Sequence, residues 1–383
     1  MPLFDVYPLY NVTPVSGKGI YVYDDKGAEY LDLYGGHAVI SIGHAHPNYV
    51  KAITNQVETL GFYSNAIQNP LQKQLADKLE DLSGCKDYEL FLCNSGAEAN
   101  ENALKLASFK TGKKRVVAFS NGFHGRTSAA VAATDNATII APINAQQAVT
   151  ILPLNDIEGV KMELEKGDVC AVIVEFIQGV GGLDQGTKEF FEEVDKLCKA
   201  NNTMFVADEI QCGYGRSGKF FAFQHYDVTP DIISLAKGMG NGFPIGGILI
   251  HPSIESKYGM LGTTFGGNHL ACAAGLAVLN TIEEEDLIDN VNVMSDYFMK
   301  LAKTIPQIKK IKGRGLMLGL EFDFEVGELR KKLIYDYKMF TGGASNKKLL
   351  RILPSLTVKK DHINQFFEAL IEVLAEVEEK ETV

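Results

Sequence analysis

The chain has 383 residues, 46% of them hydrophobic, with 37 lysines and arginines against 48 aspartates and glutamates, a formal net charge of −11 and a pI near 5.3. That length suits two to three domains or one large domain with an appendage, and the apolar fraction is ample for a buried core. The acidic balance and the lack of any basic run exclude a nucleic-acid partner and point to a small molecule.

The start, Met1-Pro2-Leu3-Phe4-Asp5, has no basic n-region, and no segment approaches the ~18 uninterrupted apolar residues of a membrane span, so no membrane partner and a cytoplasmic location are expected. Cys85, Cys93, Cys170, Cys198, Cys212 and Cys272 lie far apart without metal-like pairs and read as reduced core residues. Residues Tyr21 to Leu33 alternate apolar and polar side chains around Asp24-Asp25-Lys26-Gly27, which predicts a β-hairpin. His37, His44 and His46 follow in a glycine-rich loop. With no Cys or carboxylate ligand beside them, no metal is expected.

Apolar residues recur at three- and four-residue spacing over Pro47 to Leu60 and Pro70 to Leu82, predicting two amphipathic helices joined through Gly61-Phe62-Tyr63-Ser64-Asn65. Glu89 to Cys93 predicts a strand. Asn94-Ser95-Gly96-Ala97 then leads into a helix over Glu98 to Ser108, a strand-to-helix turn whose exposed N–H groups suit an anion as well as an ordinary N-cap. A strand over Val116 to Ser120 precedes the loop Asn121 to Thr127, which carries Phe123 and Arg126. A further strand, Asp168 to Phe176, brings Glu175 to its end, before Gln178-Gly179-Val180-Gly181-Gly182, and Lys188 to Ala200 predicts a helix.

The next two apolar runs each end in a charge and then break into a loop. Thr203 to Ala207 ends in Asp208, followed by Glu209-Ile210-Gln211, and Ile233 to Ala236 ends in Lys237, followed by Gly238-Met239-Gly240. Continuous apolar runs read as buried parallel strands, and ligands in open α/β sheets bind beyond the strands' carboxyl ends, so Asp208 and Lys237 are expected at one edge. A desolvated lysine has a lowered pKa and an amine available to attack a carbonyl. Pyridoxal 5'-phosphate needs such a Schiff-base lysine, an acid for its pyridinium nitrogen and a phosphate cradle, and Lys237, Asp208 and the Ser95-Gly96-Ala97 turn supply candidates. Pro244 to Ile250 predicts a returning strand. Thr263-Thr264 then precedes a helix over His269 to Thr281, and the acidic tract Glu283 to Asp286 marks the exit from this region. Beyond it a helix over Leu287 to Thr304, a strand over Gly315 to Phe322 and helices over Glu328 to Tyr337 and His362 to Val377 predict a compact C-terminal domain that carries Arg351.

The ordered set Asn94-Ser95-Gly96-Ala97-Glu98-Ala99, Phe123-His124-Gly125-Arg126-Thr127, Asp208-Glu209-Ile210-Gln211, Ala236-Lys237-Gly238 and Thr263 to Asn268 resembles the class III (ornithine-type) aminotransferases of the fold-type I pyridoxal-phosphate enzymes. With Phe-His-Gly-Arg-Thr and the ending Arg351-Ile352-Leu353-Pro354, the likeness is greatest to acylornithine aminotransferases, acetyl or succinyl. The resemblance implies an α/β fold: a large domain with a mostly parallel seven-stranded sheet over residues 47–285, and a smaller α+β domain built from 1–46 and 286–383. It implies a homodimer with shared sites and a reaction in arginine biosynthesis, moving an ω-amino group from N-acylornithine to 2-oxoglutarate and yielding glutamate.

By the same resemblance Lys237 carries the cofactor and shuttles the proton, Asp208 keeps the ring nitrogen protonated, Gln211 meets the phenolic oxygen, and Phe123 stacks on the ring. Glu175 supports the surroundings. Thr264 and its neighbour Thr263 lie in the loop whose threonine reaches the phosphate of the neighbouring subunit, with Thr263 taken on the substrate side. Arg126 binds the donor's α-carboxylate and Arg351 that of 2-oxoglutarate. Val180 departs from the pattern: many relatives carry a gating glutamate there that pairs with the arginine matching Arg351. Competing readings are another ω-aminotransferase, acting on ornithine or 4-aminobutyrate, an aminomutase, or a non-catalytic cofactor-binding protein. A plain nucleotide-binding protein is disfavoured, because neither a Walker loop nor a Gly-x-Gly-x-x-Gly after a first strand is present.

Overall fold

The computed structural model describes residues 1–381. At its centre lies a seven-stranded sheet in the order Glu89–Cys93, Gly246–Ile250, Ile232–Leu235, Met204–Asp208, Val169–Val174, Arg115–Phe119, Val149–Leu152. Gly246–Ile250 runs antiparallel to both of its neighbours, and the other ladders are parallel. The seven-stranded, mostly parallel sheet implied by the resemblance is therefore present. Because the reversed strand sits between two that share one direction, Glu89–Cys93 ends at the same edge as the five strands beyond Gly246–Ile250.

The apolar runs are explained by burial on both faces. Val169–Val174 is buried at every position. Successive residues of one strand enter different cores: Val117 and Phe119 join the larger apolar cluster, Val116 and Ala118 the one on the other face. The helix Lys188–Ala200 supplies an aromatic wall to the larger cluster through Phe190 and Phe191, both fully buried.

The predicted hairpin forms between Tyr21–Asp24 and Glu29–Asp32, with Asp24 Oδ1 accepting from the N–H groups of Lys26 and Ala28 at 2.9 and 2.8 Å. Pro14–Lys18 extends this sheet on one side and the short strand Met339–Phe340 lies parallel to Glu29–Asp32 on the other, so the two ends of the chain share a sheet. A third, antiparallel sheet joins Lys310–Arg314, Met317–Glu321 and Leu349–Ile352; the helix Leu287–Ala302 packs on its Lys310–Arg314 strand, and Lys360–Glu381 packs on that helix. The strands Val149–Leu152, Lys310–Arg314 and Leu349–Ile352 and the helix Ile157–Leu164 are additions to the sequence-based reading. The first helix after the sheet begins earlier than expected, at Gly96, and runs to Thr111, where Gly112 closes it in the left-handed conformation.

Candidate active site

The residues singled out on the central sheet meet at the carboxyl edge of its parallel strands. Asp208 ends Met204–Asp208 and lies opposite Ser234 in the neighbouring strand, three residues before Lys237. Lys237 leaves its strand with φ 47, in the left-handed region, a strain of about 1–3 kcal/mol for a non-glycine residue and one that concentrates at functional sites. Its Nζ makes no hydrogen bond or ion pair among the described residues. Burial pulls its pKa below the ordinary lysine value; Asp208 and Glu175 oppose that pull and Arg351 adds to it. The result is an amine held near a cleft and disposed to be neutral.

Asp208 is 3% exposed, and three donors orient its carboxylate. Oδ2 accepts from His124 Nδ1 and from Asn100 Nδ2, both at 2.7 Å, while Oδ1 accepts from the Ile210 N–H at 3.1 Å. Burial presses the His124 pKa down, but its hydrogen bond to Asp208 and the charges of Asp208 and Glu175 outweigh this and leave it raised. Beside them begins the helix Gly96–Thr111. Ser95 Oγ accepts from the Glu98 N–H at 3.2 Å, and Glu98 Oε2 reaches back to Asn94 N and Nδ2 at 2.7 and 2.9 Å, a reciprocal cap. Gly125, at φ 136, lets its loop press on this helix start: a Cβ there would lie 2.8 Å from Ala97 Cβ. The first-turn N–H groups of Gly96 and Ala97 thus face a cleft also lined by Phe123, Arg126, Glu175, Val180, Gln211 and Lys237.

Gln211 donates from Nε2 to the His37 carbonyl at 3.1 Å, and its Oε1 is a buried acceptor with no donor. Arg351, on Leu349–Ile352, is 3% exposed, and its guanidinium donates to the carbonyls of Gly179, at 2.6 Å, and Gly343. It stacks over the Tyr34 ring at 6.0 Å and forms no ion pair with a carboxylate among the described residues, and burial lowers its pKa. Val180 faces the same cleft and has no charge to offer it. Arg126 is exposed at the cleft wall. Arg351, Thr263 and Thr264 are not among the residues that line the cleft, Arg351 lying behind Gly179. Thr263 Oγ1 sits behind Asn94, 3.3 Å from its Nδ2, and its carbonyl accepts from Asn65 Nδ2 at 3.2 Å, while Thr264 is exposed. The loop Gly61 to Asn65 packs there too, with Phe62 5.4 Å from Phe265. The three early histidines go to separate partners: His44 to Asp32 at 2.8 Å, His46 to Glu285 at 2.9 Å and His37 to Tyr34.

A family model described as Aminotransferase class-III matches residues 6–374. The chain belongs to the class III aminotransferases. It is 41% identical over 391 residues to an acetylornithine aminotransferase of Caldanaerobacter subterraneus subsp. tengcongensis, covering 98% of each chain. Among solved structures it is similar to the ornithine aminotransferase of Toxoplasma gondii, with TM-score 0.90, 28% identity and coverage of 97% of this chain and 92% of that one. It is also similar to the N-acetylornithine aminotransferase of Stenotrophomonas maltophilia, with TM-score 0.81, 30% identity and 97% of each chain covered. Two side chains that hold Asp208 in this aminotransferase were not assigned from the sequence: His124, inside a quoted motif, and Asn100, buried on the helix Gly96–Thr111. Only the fold shows that both aim at Asp208.

Proposed function

We propose that this class III aminotransferase moves the ω-amino group of an N-acylornithine, acetyl or succinyl, to 2-oxoglutarate, giving the semialdehyde and glutamate, as a step of arginine biosynthesis. The observation that carries this reading is a lysine amine and two guanidiniums that have no carboxylate partner among the described residues, Arg126 exposed on the cleft wall and Arg351 buried behind Gly179. The likeness to proteins named acetylornithine aminotransferase supports the substrate class.

Pyridoxal 5'-phosphate fits the residues present, since Gln211 Oε1 is an acceptor awaiting a hydroxyl, Lys237 has a free amine, and the helix start at Ser95, Gly96 and Ala97 suits a phosphate. When bound, it supplies an aldehyde and an electron sink. Lys237 Nζ would hold it and, once released, take the proton from the substrate's ω-carbon. Asp208, oriented by His124 and Asn100, would hold the ring nitrogen's proton, Phe123 would cover the ring and Gln211 would meet the phenolic oxygen. Arg126 binds the donor's α-carboxylate and Arg351 that of 2-oxoglutarate, each capable of two parallel N–H···O bonds. Thr264 is exposed and does not line the cleft of its own chain, which supports a homodimer in which this threonine serves the phosphate site of the neighbouring subunit. The parallel pairing of Met339–Phe340 with Glu29–Asp32 supports a small domain of 1–46 and 286–383 beside a large one of 47–285. Six free, buried cysteines support a reducing, cytoplasmic setting.

The test is spectroscopic and kinetic. Loaded protein should show a visible absorption band that borohydride removes with fixation of the cofactor on Lys237, and Lys237→Ala should bind the cofactor, escape fixation and lose essentially all turnover. Full activity in Lys237→Ala contradicts the assignment.

A further inference from the structure

Glu175 follows directly on the strand Val169–Val174; it is 7% exposed, and its two oxygens serve two different loops. Oε1 accepts from the Phe123 N–H at 2.9 Å, and Oε2 accepts from the Gly179 N–H at 2.8 Å. Gly179 in turn offers its carbonyl to Arg351 Nη1 at 2.6 Å. The Gly179 segment cannot drift without consequence. A Cβ on Gly179 would stand 2.0 Å from Gln211 Oε1, the Val180 carbonyl accepts from the Ser345 N–H at 2.9 Å, and Asp184 pairs with Lys312 at 2.7 Å. Burial and Asp208 push the Glu175 carboxyl up, and His124 and the two N–H bonds oppose that rise.

We propose that Glu175 is a positioning residue that sets the Phe123 wall and the Arg351 guanidinium together, by holding on one carboxylate the loop that carries Phe123 and the loop that receives Arg351. The proposal rests on the roles given above to Phe123 and Arg351. Its chemical basis is that a carboxylate accepts at both oxygens, whereas a carboxamide of the same size accepts at one end and donates at the other. In Glu175→Gln one of the two loop N–H groups therefore faces an NH2 group, and whichever way the amide turns, one loop is released. Because Gly179 passes the restraint on to Arg351, and Phe123 sits on the other oxygen, exchange between the two amide orientations loosens both walls.

The experiment uses the full chain loaded with pyridoxal phosphate and reads binding rather than turnover. The dissociation constant of the cofactor is measured by equilibrium dialysis, and that of glutarate, an unreactive dicarboxylate, by calorimetry, with melting temperature as the control for folding. Glu175→Gln should weaken both constants by roughly tenfold or more with a near-parental melting temperature, whereas Phe123→Leu should weaken only the cofactor and Arg351→Lys only glutarate. Glu175→Asp keeps both acceptors but withdraws them by one methylene, so both constants should weaken in step there too; if the glutamine variant does not fold, this variant decides. Unchanged constants, or a change in one alone, overturn the inference. An unmutated protein that binds cofactor and glutarate yet turns over no acylornithine overturns the proposed substrate and leaves this test standing. One that binds neither overturns both.

Discussion

Arg126 and Arg351 carry the same charge in opposite surroundings, and that difference decides what each can do for a substrate. Arg351 is buried with carbonyl partners and the Tyr34 ring but no carboxylate among the described residues, so an incoming carboxylate would supply a counter-charge, while Arg126 would have to hold its ligand against water. Each substrate contact is a charge-assisted hydrogen bond of about 1.5–3 kcal/mol, roughly ten- to a hundredfold in KM. Arg126→Ala should raise the KM for acylornithine far more than that for 2-oxoglutarate, and Arg351→Ala should do the reverse; equal effects on both substrates contradict the division. Val180→Glu would bring a carboxylate to the Arg351 side of the cleft and should weaken 2-oxoglutarate and glutamate binding, and unchanged KM values for them would show that Arg351 does not depend on an open cleft wall. His124 yields a pH test. Its folded pKa is raised above the ordinary 6.5, so the stability it contributes is fully present below that pH and is lost as pH rises through the folded value. The melting-temperature advantage of the cofactor-free protein over His124→Asn should be largest below pH 6.5 and shrink at higher pH. A difference that stays constant with pH contradicts the linkage.

The helix Lys188–Ala200 shows how an element remote from the chemistry holds the cleft. Phe191 is fully buried against Phe176 at 4.4 Å and Tyr226 at 4.7 Å, directly behind the residue that follows Glu175. Phe191→Ala should cost about 3–5 kcal/mol in urea unfolding, the range for emptying a buried aromatic position; a loss under about 1 kcal/mol would mean that this wall collapses to fill the space. This helix, the hairpin after Tyr21 and the Asp208 and Lys237 strands were legible in the sequence because their period or continuous apolar character survives burial. Val149–Leu152 was not. It is a half-buried, four-residue strand at the edge of the sheet, too short to show a period. Lys310–Arg314 carries charges because its side chains are only partly covered. In the site, Lys237 and Asp208 were legible as charges that end apolar runs, whereas Asn100 gave no local signal: a polar residue in mid-helix reads as solvated, and its partner is 108 residues away.

At the scale of the whole molecule, the two ends of the chain close into one sheet, and Arg351, on the third sheet, is tied to the Gly179 and Gly343 carbonyls beside the cleft-lining Val180. Arg351 and the Lys237 amine are thus supplied by different sheets, and under the proposed roles a donor would extend from Lys237 to Arg126 while the acceptor would reach Arg351. An N-acylornithine is such a donor, extended and with a free α-carboxylate and a blocked α-amine. The most direct measurement is kcat/KM with 2-oxoglutarate as acceptor and a panel of N-acetylornithine, N-succinylornithine, ornithine and 4-aminobutyrate as donors. An N-acylornithine should exceed both unacylated donors by roughly tenfold or more, about 1.4 kcal/mol of transition-state discrimination. A higher value for ornithine or 4-aminobutyrate would contradict the account.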